Sequence, residues 1–374
     1  MQELWFPILR NFTGLIMEKN EAIRNNAIDA FSSTLQAHHQ HFGDGLWREI
    51  FGLVLLPVFE DIRVQVELAM RKTNREQAQH HISTLQLFLG RLNEFFVTNL
   101  AELGPELLCC FMDAMCLFAS KINNEDLAKV VMFQLRQLIL EVGDKLNEPD
   151  LWIDIIEQIS LLYQQTIPQI LEDEMKKFQN NDAAVILEED RQAPQQADLK
   201  KKKPGPPQDA RQKFEKCYAK STTQLLLTKM VADIIGNFFE FLSIEQVRVL
   251  LQRLDAQFKF AKEFNSEINL RYQLWKQGYM SQLNHLPGLL SLEEESLSVY
   301  LSIRFKQYFG GSEQPSDADD DDAVNKPLFA LCSKVLKDYV LKHSELVSIN
   351  TSKKAGQATQ KPQETADKLS NLHE

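Results

Sequence analysis

Apolar residues in this chain recur at steps of three and four, segment after segment, and that period belongs to helices. Val247, Leu250, Leu251, Leu254, Phe258 and Ala261 form one stripe. Ile23, Ala27, Phe31 and Leu35 form a second, and Leu127, Val131, Leu135, Leu138 and Val142 a third. Sustained apolar–polar alternation is missing, and no Asn-Gly or Asp-Gly pair stands between two strand-like runs, so no sheet is expected. Helices are predicted over roughly 4–18, 21–40, 45–62, 64–101, 105–120, 124–141 and 148–165, with the long segment breaking near Thr73–Arg75. Asn123 and Asn124 are N-cap candidates, and Glu125 and Asp126 follow in the first turn, where acidic groups are favoured.

Helices paired at this rhythm can bury their apolar faces only against their neighbours. The expected fold class is therefore all-α, an α-solenoid of HEAT/armadillo-like helical hairpins with a disordered linker and tail. EAIRNNAIDAF (Glu21–Phe31) resembles the second helix of a HEAT repeat in its Arg-x-x-Ala-x-x-Ala/Phe spacing. Composition divides the chain further. An N-terminal helical block over 1–171 meets a polar stretch, 172–213, that includes Lys200–Lys203 and Pro204-Gly205-Pro206-Pro207 and reads as a disordered linker. A C-terminal helical block over 214–309 follows. After it come an acidic insert at 310–326, a terminal helix at 327–348 and a disordered tail at 349–374.

Bulk properties exclude several classes. A net charge of −11 over 374 residues argues against a nucleic-acid binder, whose footprint is basic. No apolar run approaches the roughly 20 residues that span a bilayer, and MQELWFPILRNFTG lacks a basic region followed by an apolar one. Cys109, Cys110, Cys116, Cys217 and Cys332 form no C-x-x-C pair, which suits buried thiols in a reducing cytoplasm. His38, His39 and His41, and likewise His80 and His81, lack the i,i+4 spacing of helical zinc sites. Asp317 and Asp319–Asp322 lack the glycine and terminal glutamate of an EF-hand loop. No phosphate-cradling Gly-x-x-x-x-Gly-Lys loop, nucleophile elbow or His-Glu-x-x-His helix is present. The expectation is no catalytic residue, no cofactor and no metal: a binding surface in place of a reaction site.

Trp5, Trp47, Trp152 and Trp275 have the size of interface anchors, although tryptophans in solenoid helices more commonly fill inter-repeat core. The segment 245–280 reads as a long helix, a polar turn and a short helix at 267–277 carrying Trp275. Around that turn, Phe264, Asn265, Trp275 and Lys276 are the candidate partner-binding residues, with Glu263 beside them and Asn265 also a candidate cap of the short helix.

The strings FAKEFNS and LWKQGY in this segment closely resemble the late C-terminal region of the large, brefeldin A-inhibited guanine nucleotide-exchange factors for Arf GTPases. LWFPIL (Leu4–Leu9), GLWREIF (Gly45–Phe51), NEDLAKVVMFQLRQLI, LWIDIIEQI with QQTIP (Gln164–Pro168), and KCYAKSTTQLLL are similar to that family's blocks in the same order. The family's catalytic loop ends in Phe-Arg-Leu-Pro-Gly-Glu, whose glutamate opposes the nucleotide phosphate and magnesium. The nearest string here, Leu286-Pro287-Gly288-Leu289, has leucine in the glutamate's place and reads as a helix-ending turn.

The resemblance implies a non-catalytic C-terminal regulatory scaffold, cytoplasmic and peripheral on trans-Golgi or endosomal membrane. It would bind small GTPases of the Arf and Rab families in vesicle-mediated transport. The alternatives are a catalytically empty adaptor relative in endosome–Golgi traffic, or a general HEAT-repeat protein-binding scaffold.

Overall fold

The protein's structure, a computed structural model, describes residues 2–146, 149–182, 208–280 and 288–309. Among these every regular element is helical, and asparagine caps set where several helices begin. Helix α1 (Gln2–Ile16) turns into α2 (Glu21–His38), and the Asn20 side chain accepts from the Ala22 amide at 3.0 Å. Helix α3 (Asp44–Glu49) continues through a π-helical turn, Ile50–Leu55, into α4 (Leu56–Arg71). Helix α5 (Arg75–Thr98) starts at Asn74, whose side chain accepts from Gln77 N at 3.0 Å. The short α6 (Leu100–Leu103) leads to α7 (Pro105–Lys121), and α8 (Glu125–Val142) starts at Asn124, which accepts from Leu127 N at 2.9 Å. Then come α9 (Pro149–Gln165), α10 (Gln169–Asp182), α11 (Gln208–Phe238), α12 (Ile244–Ser266), α13 (Ile268–Lys276) and α14 (Leu290–Phe309).

The all-α solenoid is observed as two layers. Helices α1, α4, α7, α9 and α12 pack in succession as one layer, the α1 contact running through the π turn, and α2, α5, α8 and α11 pack in succession as the other. Across the layers, α1 pairs with α2, α4 with α5, α7 with α8 and α9 with α11. Helix α14 closes the stack: Lys306 donates to the carbonyl of Ile235 at 2.6 Å, and Ser296 to Gln257 of α12 at 2.8 Å. A continuous apolar core runs from Leu9 to Ile303. A second core gathers Leu171 and Met175 of α10, Phe214 and Cys217 of α11, Phe264 of α12, Leu270 and Leu274 of α13, and Tyr279.

The predicted break at Thr73–Arg75 falls where α4 ends and α5 begins, with Thr73 in the left-handed region at φ 56°. The boundary expected between 62 and 64 is absent. Pro57 has no amide to give, yet helix is continuous from 44 to 71 because the preceding π turn bonds i to i−5, Leu56 N donating to Phe51 O. All five residues of the Leu127–Val142 stripe are buried. In α2 the stripe is rotated: Ile23 faces solvent, 45% exposed, while Arg24 and Ile28 share the buried face with Ala27, Phe31 and Leu35. Arg24 takes that position because its guanidinium turns back to the carbonyls of Glu18 and Lys19.

Of the stretch 172–213 expected as linker, helix occupies 172–182 and 208–213, and the remainder lies outside the described residues. Helix α10 holds its length because Leu171 and Met175 bury into the second core. The two expected blocks meet in one unit, Met1–Gln307, in which α11 lies along α8. Of a second unit, Tyr308–Glu374, only the last two residues of α14 are described, so the acidic insert, terminal helix and tail lie outside the described residues.

Candidate functional site

The groups that carry chemistry most often are committed to packing here. Burial pushes the thiols of Cys116 and Cys217 up to about 12, far from a reactive thiolate. Cys332 lies outside the described residues. His39 donates or accepts at both ring nitrogens, Nε2 lying 2.9 Å from the Glu102 carboxylate and Nδ1 3.2 Å from the Gln36 carbonyl, so it fastens α2 to α6. Among the described residues, no cluster of histidine, cysteine and carboxylate groups could hold a metal ion. Lys220 of α11 donates to the carbonyls of Ser120 and Gln165 in the last turns of α7 and α9, and burial pulls its ammonium down to about 8.

Where α9, α11, α12 and α14 meet, a polar network is closed on itself. Gln257 donates to Gln224 Oε1 at 2.8 Å and accepts from Thr228 and Ser296 at 2.7 and 2.8 Å. Gln224 in turn donates to the Tyr163 carbonyl and to Thr166 Oγ1 at 2.7 and 2.8 Å. All these side chains are buried, so the network fixes the register of four helices and offers nothing to a ligand.

The four candidate residues at the α12–α13 turn do not form one surface. Phe264 is fully buried in the second core, 6.4 Å from the Tyr279 ring, and contributes packing only. Asn265 is also buried and does not cap α13, whose N-cap is Glu267 without a side-chain bond. Its amide turns instead to α14, accepting from Leu289 N at 2.7 Å and donating to Glu293 at 2.7 Å, while its backbone carbonyl takes Arg271 Nη1 at 2.7 Å. Trp275 is 8% exposed, stacked at 6.2 Å on Tyr272. Lys276 is the exposed member, its ammonium 4.3 Å from the Tyr272 ring. Glu263 is exposed and accepts from Gln179 of α10. Leu289 is buried beside them; Leu286 and Pro287 lie outside the described residues. Trp47 and Trp152 are core as well, Trp152 fully buried and donating to the Leu146 carbonyl at 3.1 Å.

The free surface of the first layer has the character of a docking face. Helices α4, α7 and α9 stand side by side there, and each shows solvent a narrow stripe. Phe118 and Lys121 of α7 line an open cleft of about 390 Å³ with Leu56, Pro57, Glu60 and Asp61 of α4. At the next step Asp154 of α9 lies close enough to Cys109 of α7 that its charge adds to burial in pushing that thiol to about 11. Stepping by turns from there, α7 exposes Asp113 and Leu117, and α9 exposes Glu157 and Leu161. Leu53, Leu117, Ile153 and Leu161 are between 38% and 57% exposed on this side. Carboxylates at Asp61, Glu106, Asp113, Asp154 and Glu157 surround them, with Glu60 paired to Arg63, against Lys121. Large apolar side chains at such exposure, ringed by one sign of charge, suit a partner of opposite sign. The sequence stripes hid this face because its members are the off-phase residues of helices read for their buried side.

Two family models match the chain in tandem: the GBF1-like, tetratrico peptide repeat region over residues 5–170, and the BIG2 C-terminal domain over residues 222–370. Brefeldin A-inhibited guanine nucleotide-exchange protein 3 of Arabidopsis thaliana is 24% identical over 350 residues, 90% of this chain and 19% of that protein. The ADP-ribosylation factor guanine nucleotide-exchange factor sec71 of Schizosaccharomyces pombe is 24% identical over 342 residues, 87% of this chain and 18% of its own length. Over 109 residues, 29% of this chain, brefeldin A-inhibited guanine nucleotide-exchange protein 1 of Bos taurus reaches 33% identity. The chain thus spans about a fifth of the length of the curated relatives it matches first. No solved structure matches. The chain belongs to the large brefeldin A-inhibited Arf guanine nucleotide-exchange factor family, matching its C-terminal helical region.

Proposed function

We propose that the chain is a non-catalytic regulatory scaffold of a large Arf exchange factor. It binds activated small GTPases of the Arf or Rab kind and so supports placement of the factor on trans-Golgi or endosomal membrane during vesicle-mediated transport. The observation that carries this reading is the tandem match: both helical halves match in order, and the chain spans about a fifth of the length of the exchange factors it resembles. The string nearest the family's catalytic loop supports it. Leu289 stands where a glutamate would act, and it is buried with its amide bonded to Asn265.

The first-layer face is the docking surface in this proposal. Its apolar side chains supply desolvated area, and its carboxylates select a partner that rings an apolar patch with lysine or arginine. In this reading membrane placement runs through the GTPase partner; no described helix is long and apolar enough to cross a bilayer. Lys276 is the remaining exposed candidate at the α12–α13 turn.

The test is capture of partners by the full chain from lysate loaded with a non-hydrolysable GTP analogue or with GDP, identified by mass spectrometry. Enrichment of an Arf or a Rab in the GTP-analogue sample alone is the expected result. Equal recovery of GTPases in both samples, or none in either, would overturn the proposal.

A further inference from the structure

Helix α2 packs along α5, and Arg24, near the start of α2, lies within electrostatic reach of His80 and His81 in the second turn of α5. Arg24 is 4% and His81 9% exposed, and neither Nε of Arg24 nor Nε2 of His81 has a hydrogen-bond partner. One end of the Arg24 guanidinium is committed, Nη1 donating to the Glu18 and Lys19 carbonyls at 3.1 and 3.5 Å. The His80 and His81 rings meet edge to face at 5.4 Å, and half-buried His80 gives the cluster its opening to solvent.

The three groups disfavour one another's charge. Burial, then Arg24, holds the imidazole of His80 below its ordinary range, while Glu21 acts weakly the other way. Burial, then His80 and Arg24, does the same to His81. Glu21 forms no ion pair with Arg24 or with either histidine among the described residues, although its charge is felt by Arg24 and His80. Buried polar atoms in native proteins are almost always satisfied, and unpaired ones beside a fixed positive charge mark a place where something negative belongs.

We propose that Arg24, His80 and His81 form a binding site for a phosphate group, free in solution or borne on a lipid headgroup. A phosphate has enough oxygens to accept from Arg24 Nε and from both imidazoles at once, and its charge draws protons onto the two rings so that each becomes a donor. Water would satisfy single atoms but add no negative charge to the weak effect of Glu21. The assignment is independent of the GTPase reading.

The experiment follows the imidazole proton resonances of the full chain by NMR during titration with inorganic phosphate. Vesicles containing phosphatidic acid or phosphatidylserine are assayed in parallel. Because Arg24→Gln would also strip the Glu18 and Lys19 carbonyls of their donor, the variants are His80→Gln and His81→Gln. Saturating shifts of both histidines at about millimolar phosphate, at least tenfold weaker in each variant's remaining histidine, are the expected result. Preference for phosphatidic acid over phosphatidylserine that the variants lose identifies a lipid source; phosphate shifts without that preference identify a free one. Resonances unmoved by phosphate, together with vesicle binding that the variants leave unchanged, would overturn the site.

Discussion

Asn265 illustrates how a residue's type can be informative while its partner is not. Asparagine at the end of a helix before a polar turn reads as a cap for the next helix. In the structure its amide is spent on α14, holding the Leu289 amide and Glu293, and Arg271 takes its carbonyl. Asn265→Ala takes the acceptor from the buried Leu289 N–H and removes one donor to Glu293, so stability to urea should fall by about 1–3 kcal/mol. Amide exchange at Leu289 should accelerate with it; unchanged exchange there would show that the bond is not what fixes the start of α14. Phe264 and Trp275 were recognisable as large apolar residues in a recurring block, but the burial of Phe264 depends on α10 and α11, far away in sequence. The convergence of Arg24 with His80 and His81 was illegible for the same reason: nothing local links a HEAT-like arginine to a histidine pair on α5.

At the scale of elements, much more could be read in advance. Periodicity alone places α8, all five of its stripe residues being buried, and a polar break with an asparagine cap places its start. The same device recurs at Asn20 and Asn74, so the repeat that is invisible as sequence identity is present as capping chemistry. Pro57 does not interrupt the helix expected over 45–62, because the π turn before it relieves the missing bond. A close approach of helices carries no pattern at all. Gly143, at the end of α8, has room for no side chain: an added Cβ would stand 2.6 Å from Cε1 and Cε2 of Phe238 on α11. Phe238 is itself locked against Trp152, their rings 5.2 Å apart, and cannot yield. Gly143→Ala should therefore cost roughly 1–3 kcal/mol by overpacking, read as a lower thermal midpoint, although alanine normally favours helix. A midpoint equal to or above that of the parent would show that α8 and α11 do not meet this closely.

For the whole molecule, the solenoid class follows from the rhythm of stripes and breaks, whereas its docking face does not. That face is built from the residues left over when each helix has buried its stripe, and their adjacency exists only once α4, α7 and α9 are stacked. In the proposed function, this face is where a chain spanning about a fifth of its relatives' length meets its partner. Direct titration of the purified full chain with an Arf and, in parallel, a Rab tests this most sharply. Each would be loaded with a GTP analogue or GDP and compared with the variant Leu117→Glu/Leu161→Glu. The account predicts that one GTPase binds at least tenfold, about 1.4 kcal/mol, more tightly in its GTP-analogue form, and that the variant loses at least that much affinity while staying folded. Equal affinity for the two nucleotide states, or undiminished binding by the folded variant, would contradict it.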